Sequence, residues 1–256
     1  MVREYPLRVD AWREIAGLVH GFLGRAHGLP AGPFTVDDVR DALMRAGEPP
    51  TPIAAARQVH GATVLSPEHL ALETAADGDV PIADDALPSG DAWVTASSGL
   101  LLTIRTADCV PILLVAPRAH AVAAVHAGWR GTLDGVIEAA LAALQARYDA
   151  RVDEVSAAIG PAIGGCCYAF GSEHQTAFTE RFGAGIDAAW RRDETDGGRS
   201  YLDLRTVGRV ALARAGVAPD AIHTVGPCTA DHPDELHSFR RDGAHAGRQL
   251  SYIGWA

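Results

Sequence analysis

The strongest constraint on this chain is a succession of short apolar runs at residues 92–95, 100–104, 111–115 and 121–125, followed at once by a long stretch of helical periodicity. Runs of this length and composition read as β-strands. Strands that follow one another with no helix between them point to mixed sheets rather than an uninterrupted doubly wound one. From Thr132 onward Leu133, Val136, Ile137, Ala140, Leu141, Leu144 and Tyr148 recur at helical spacing, predicting a helix of about four to five turns that buries one face on the sheet. Further strands are expected at residues 53–59, 155–159, 222–225 and 249–253. Three more helices are expected: one capped by Thr35 and stopped by Gly47, one opened by a Ser172-Glu-His-Gln175 capping box and ending near Gly183, and one capped by Asp203 and ending at Gly216. The expected fold class is therefore mixed α/β (α+β), with mixed β-sheets flanked by helices. The Pro/Gly/Asp-rich stretch 75–90 and the polar segment 191–200 read as long surface loops. No repeat, low-complexity tract or linker divides the 256 residues, so 1–256 reads as a single domain.

Charge and composition narrow the function. Lys+Arg 22 against Asp+Glu 32 leaves a formal charge of −10, which repels polyphosphate backbones and anionic membrane surfaces; no nucleic acid and no membrane are expected as partners. All 22 basic residues are arginine, so a Schiff-base lysine, a pyridoxal phosphate attachment and a P-loop are excluded. Of the four cysteines, Cys109, Cys166, Cys167 and Cys228, only Cys166 and Cys167 are close in sequence, a spacing that suggests thiols in a reducing compartment rather than a disulfide framework. The N-terminal MVREYPLRVDAWRE lacks an apolar signal core, and the longest apolar runs, near 110–117 and 121–127, are far short of a membrane span. A cytoplasmic protein is expected.

Three segments set a polar, metal-competent side chain at the border of an apolar run: Arg57-Gln-Val-His60-Gly61, Thr106-Ala-Asp-Cys109-Val-Pro111 and Ala124-Val-His126-Ala-Gly128-Trp-Arg130-Gly131. Strand ends facing a crevice are where α/β sheets carry their sites. Two imidazoles and one thiolate suit zinc, and three protein ligands leave a fourth position for water or substrate. An alternative reading takes Cys109 as a thiolate nucleophile with His126 or His60 as its base. Gly128 and Gly131 allow close backbone approach, and Arg130 at a helix start provides a cation for an anion such as phosphate. Arg25 is a second candidate for anion binding, and Asp91 and Asp108 are candidate acid–base groups. The glycine-rich Gly160–Tyr168 stretch reads as a loop shaping a pocket wall. His232, His237 and His245, near Cys228, are a further candidate metal group.

Gln58-Val-His60-Gly61, Thr106-Ala-Asp108-Cys109-Val-Pro111, His126-Ala-Gly-Trp-Arg-Gly131, Ile159-Gly-Pro161 with Cys166-Cys167-Tyr168, and Ser238-Phe-Arg-Arg-Asp-Gly243 together resemble the bacterial laccase-domain family. Its members are named variously polyphenol oxidoreductase, purine nucleoside phosphorylase and peptidoglycan editing factor. The resemblance runs from about His20 to the C-terminus. It implies one zinc ion on His60, Cys109 and His126, and phosphorolysis of the purine nucleosides adenosine, inosine, guanosine and methylthioadenosine, with deamination of adenosine. Phosphate near Arg130 fits the first activity. Rival expectations are a peptidoglycan-precursor amidohydrolase using metal-activated water or the Cys109 thiolate, a copper-dependent phenol oxidase, for which the histidines are too few and unpaired, and a non-enzymatic binding module with a structural ion. The segment Leu29–Phe34 is shorter than the family's usual stretch, and His27 stands where a glycine is usual, which bears on the role of Arg25.

Overall fold

The computed structural model describes residues 3–32, 34–49, 51–70 and 87–256. In chain order the elements are β1 (Leu18–Phe22), α1 (Val36–Arg45), β2 (Ile53–Ala54), β3 (Val64–Leu65), β4 (Ala92–Thr95), β5 (Leu100–Thr106), β6 (Val110–Ala116) and β7 (Ala121–Ala127). Then follow α2 (Trp129–Asp134), α3 (Val136–Tyr148), β8 (Ser156–Ile159), α4 (Gln175–Phe182), β9 (Trp190–Asp193), β10 (Arg199–Leu202), α5 (Leu204–Arg214), β11 (Ile222–Thr224), α6 (Phe239–Asp242) and β12 (Gln249–Trp255). They form a mixed α/β fold, as the strand succession predicts. One sheet has the order β11-β8-β6-β7-β4-β3, a second β1-β12-β5-β2, and β10-β9 is a separate hairpin. Both larger sheets mix directions: β6 runs antiparallel to β7 and β8, while β11 is parallel to β8 and β2 parallel to β5.

The pleat explains why the strands read as continuous apolar runs. Along β6, Ile112 and Leu114 face the helices α3 and α5, whereas Leu113 and Val115 face the second sheet. Along β12, Ile253 and Trp255 face the first sheet, while Leu250 and Tyr252 pack under Val39 and Leu43 of α1. Successive side chains point to opposite faces, so a sheet covered on both sides needs apolar residues at every position. The layers are thus helices, six-stranded sheet, four-stranded sheet, and α1.

Four local expectations change. The helix from Thr132 is two helices, because Gly135 adopts φ 91° and interrupts the ladder between α2 and α3. In the run 53–59 the pairing with β5 stops after Ala54, and Arg57 makes only an isolated parallel bridge to Ser89; Gln58 accepts from the Arg105 N–H at 2.9 Å and donates to the Arg105 carbonyl at 2.8 Å, so one side chain takes the place of a further ladder pair with β5. Ser172 does not cap α4. It lies inside a 3-10 turn whose N-cap is Gly171, with no side-chain cap bond. The segment 191–200, expected as a loop, forms most of the β9–β10 hairpin, with Trp190 opposite Leu202. Of the stretch 75–90, residues 75–86 lie outside the described residues. Capping by Thr35 and Asp203 is present: the Thr35 hydroxyl accepts from the Asp38 N–H, and Asp203 accepts from the amides of Arg205 and Thr206. No helix among the described residues is long and apolar enough to cross a membrane.

Candidate metal centre

His60, Cys109 and His126 come from three separate parts of the chain and converge, with one ligating atom from each lying within 4.8 Å of the others. Asp91, directly before β4 and fully buried, organises two of the three. Its carboxylate accepts from the backbone N–H groups of Val59, His60 and Gly61 at 3.2, 2.9 and 2.8 Å. These bonds hold His60 at φ 62°, a conformation that costs a non-glycine residue about 1 kcal/mol or more and persists only when its surroundings impose it. The same carboxylate accepts from Nδ1 of His126 at 2.8 Å. A carboxylate only accepts, so Nδ1 carries the proton and Nε2 is left as the ligating nitrogen.

Cys109 directly precedes β6, at the end of a tight connection in which Asp108 adopts φ 91°. Asp108 accepts from the Thr229 hydroxyl and from the Arg240 N–H, both at 2.6 Å, and its backbone carbonyl accepts from the Ile163 N–H at 3.0 Å. Three later segments of chain are thereby pinned beside Cys109. Burial by itself would raise the Cys109 thiol, but the imidazoles of His126 and His60 bring it down to about 6. Burial likewise opposes charge on His126, and the Cys109 thiolate and the Asp91 carboxylate overcome it, lifting the imidazole to about 9.

The glycines of the 126–131 segment make room for this packing. A Cβ on Gly128 would sit 2.9 Å from Cδ2 of His60 and 3.3 Å from Sγ of Cys109, and one on Gly131 would sit 2.7 Å from the Gly61 carbonyl oxygen. Arg130 is exposed, with its guanidinium carbon 4.5 Å from the centroid of the Trp129 ring. Because α2 ends at Asp134, this arginine stands at the start of a short helix rather than the long one predicted. Arg25 is tied elsewhere: it donates to Asp242 and to the Leu236 carbonyl, both at 3.3 Å. Asp91 and Asp108 are each engaged in several hydrogen bonds, in the places expected for them at the edges of strands.

Tyr168, which the motif contains but residue chemistry did not single out, borders the centre. Its phenol is raised to about 12 by burial and then by the Cys109 thiolate, against the influence of Arg240 and Arg130. Its ring lies 4.8 Å from the Arg240 guanidinium. Trp129, Phe170 and His174 continue an aromatic shelf, with centroid separations of 5.5, 4.8 and 5.1 Å. The second metal-competent group among the described residues is Cys166, Cys167, Cys228 and Asp231; His232, His237 and His245 are not part of it, and His232 turns its Nδ1 to the Cys228 carbonyl at 3.1 Å.

A family model described as multi-copper polyphenol oxidoreductase laccase matches residues 31–256. The chain belongs to that family. It is 35% identical over 235 residues to a protein from Xylella fastidiosa named purine nucleoside phosphorylase, covering 91% of this chain and 84% of that one. It is 37% identical to a protein of unknown prokaryotic origin named adenosine deaminase RL5, covering 68% and 66% of the two chains. Its fold superposes on the crystal structure of YlmD from Geobacillus stearothermophilus with a TM-score of 0.80 and 28% identity over 99% of both chains.

Proposed function

We propose that this chain is a zinc-dependent purine nucleoside phosphorylase acting on adenosine, inosine, guanosine and methylthioadenosine, with an accompanying adenosine deaminase activity. The observation that carries the reading is the convergence of His60, Cys109 and His126 with a buried carboxylate fixing the tautomer of His126. Relatives named for both activities support it. The donor set fits one zinc ion: two imidazoles and a thiol already disposed to ionise, with Gly128 clearing space beside them. Copper oxidation of phenols suits the group less well, since a multicopper site needs several closely paired histidines. When bound, zinc supplies Lewis acidity at the open coordination position.

The remaining work falls to the protein. Phosphate must approach the sugar C1′ as the glycosidic bond loosens, and Arg130, an exposed cation following His126 in the chain, is the group we assign to hold that dianion. Tyr168 and Trp129 offer ring faces beside the centre for a flat purine. Asp91 acts as a positioning residue, since its carboxylate is buried and occupied by four donors. Asp108 similarly anchors the wall that carries Arg240. The free thiols of Cys109, Cys166, Cys167 and Cys228 fit a cytoplasmic setting.

The test is incubation of purified protein with adenosine, with and without phosphate. Adenine and ribose-1-phosphate are expected only with phosphate, and inosine in both. If neither product exceeds what Cys109→Ala makes, the proposal fails. The low-lying Cys109 thiol favours one second reading, an amidohydrolase with Cys109 as nucleophile and His126 as base, whose substrate would be a peptidoglycan precursor. Hydrolysis that survives complete metal removal would identify that chemistry; nucleoside turnover lost with the metal and restored by zinc supports the first.

A further inference from the structure

Away from the His60 centre, the loop after β8 and the loop after β11 meet. Their backbones form a parallel bridge between Ala162 and Cys228, and the Thr229 N–H donates to the Ala162 carbonyl at 3.1 Å. That pairing brings Cys166, Cys167, Cys228 and Asp231 together, with one ligating atom from each within 4.8 Å of all the others. We propose that these four residues form a second metal site, closed and structural, for a thiophilic divalent cation of the zinc class.

Three features support a built site rather than incidental proximity. First, the chemistry is complete: three thiols and a carboxylate fill a tetrahedral shell, in which ligating atoms around a zinc with Zn–S bonds of about 2.3 Å stand about 3.8 Å apart, within the 4.8 Å that bounds the separations here. Second, Gly164 packs directly against the group. A Cβ there would lie 3.3 Å from Sγ of Cys166 and 3.5 Å from Cβ of Cys228. Third, an outer hydrogen bond orients one sulfur, as is usual for metal ligands: the Gly164 N–H donates to Sγ of Cys228 at 3.2 Å; within the group the Cys167 thiol donates to Asp231 at 3.4 Å, the proton that metal binding would release. Arg241 braces the second loop by donating to the carbonyls of Thr229 and Ala230 at 2.9 and 3.2 Å. Binding moves no electrons; each ligating thiol gives a proton to solvent, and four sulfur- or oxygen-to-metal bonds form.

The consequence reaches the catalytic region. The first loop continues into Tyr168, and the second leads to Thr229, whose hydroxyl is bonded to Asp108 beside Cys109. A metal staple between the loops would fix this wall.

The test separates the two sites. Cobalt(II) is added to the metal-free Cys109→Ala chain, in which the first centre has lost its only sulfur. A near-ultraviolet thiolate-to-cobalt band is expected, and it should vanish in Cys109→Ala/Cys228→Ser. Zinc content should fall from about two per chain in the wild type to about one in either Cys109→Ala or Cys228→Ser. Cys166 and Asp231 are exposed, so Cys166→Ser and Asp231→Asn, each added to Cys109→Ala, provide the same readout without disturbing the interior, with an expected loss in cobalt affinity of at least about tenfold. The proposal is overturned if Cys109→Ala shows no thiolate band, if the band survives when Cys228→Ser or Cys166→Ser is added to Cys109→Ala, or if the anaerobically purified protein holds these cysteines as a disulfide.

Discussion

Replacing Asp91 with asparagine isolates the central element of the candidate site, because the side chain keeps its shape and loses only its charge and half its accepting capacity. In the native chain four donors converge on this carboxylate: three amides from residues 59–61 and Nδ1 of His126. Asparagine accepts through one oxygen and turns an NH2 towards the remaining donors, so at least two are left unmet in a fully buried position. At about 1–3 kcal/mol for each unsatisfied donor, the expected loss is about 2–6 kcal/mol. Metal affinity should fall about 10- to 100-fold, as is typical when the group orienting a ligating histidine is removed. Chelator competition at pH 7.5 reads the affinity, and thermal melting of the metal-free protein reads the stability. Nitrogen-15 spectra of the imidazole provide a third readout, since a merely structural role would leave His126 protonated at Nδ1. Affinity within about threefold of wild type, together with an unchanged melting temperature and tautomer, would refute the argument.

The glycines around the centre should differ sharply in their tolerance. Gly128→Ala forces a methyl against His60 and Cys109 and should cut zinc affinity at least about tenfold, whereas Gly61→Ala, whose nearest neighbour would be 3.7 Å away, should bind zinc as the wild type does. Acid should destabilise the chain through two buried histidines. Burial, and then Arg8 for His20 and Arg25 for His237, lower both to about 4, so between about pH 6.5 and 4 the unfolded chain binds more protons; each group then costs up to about 1.4 kcal/mol per pH unit as pH falls. Denaturant unfolding across that window should show a slope reduced by about half in His20→Gln, and a flat wild-type profile would contradict it. Asp108→Ala releases the Thr229 hydroxyl and the Arg240 amide, so it should raise KM for nucleoside more than it lowers kcat; an unchanged KM would count against Asp108 as the anchor of that wall.

Where the sequence alone is informative, the reason is periodicity. Helices on one side and a second sheet on the other bury both faces of β6 and β7, so they read as unbroken apolar runs, and any polar residue at their borders stands out. Cys109 and His126 are visible for that reason, and His60 because it directly follows the apolar run 53–59. The identity of what orients them is not visible. Asp91 reads as one more aspartate before a strand, and its role depends on the Val64–Leu65 strand pairing alongside β4 and bringing the 59–61 amides over its carboxylate. Tyr168 escapes notice because its proximity to Cys109 arises from a long loop with no period. The same applies to the β9–β10 hairpin, whose Arg191, Arg192 and Arg199 are exposed and leave no alternating pattern to read.

The break at Gly135 shows how a helical pattern can be right about burial and wrong about continuity. Val136, Ile137, Ala140, Leu141 and Leu144 are buried as their spacing predicts. Yet the chain cannot run straight from Trp129 to Tyr148 and still satisfy both ends. Gly131 must rest on the Gly61 carbonyl, with no room for a side chain, to hold the His126–Arg130 segment against His60, while α3 must lie along the sheet to bury its apolar face. Gly135, with no Cβ to penalise φ 91°, takes up the difference in direction. Its conformation therefore belongs to the site as much as to the helix, because it lets α2 follow the metal-centre geometry while α3 follows the core.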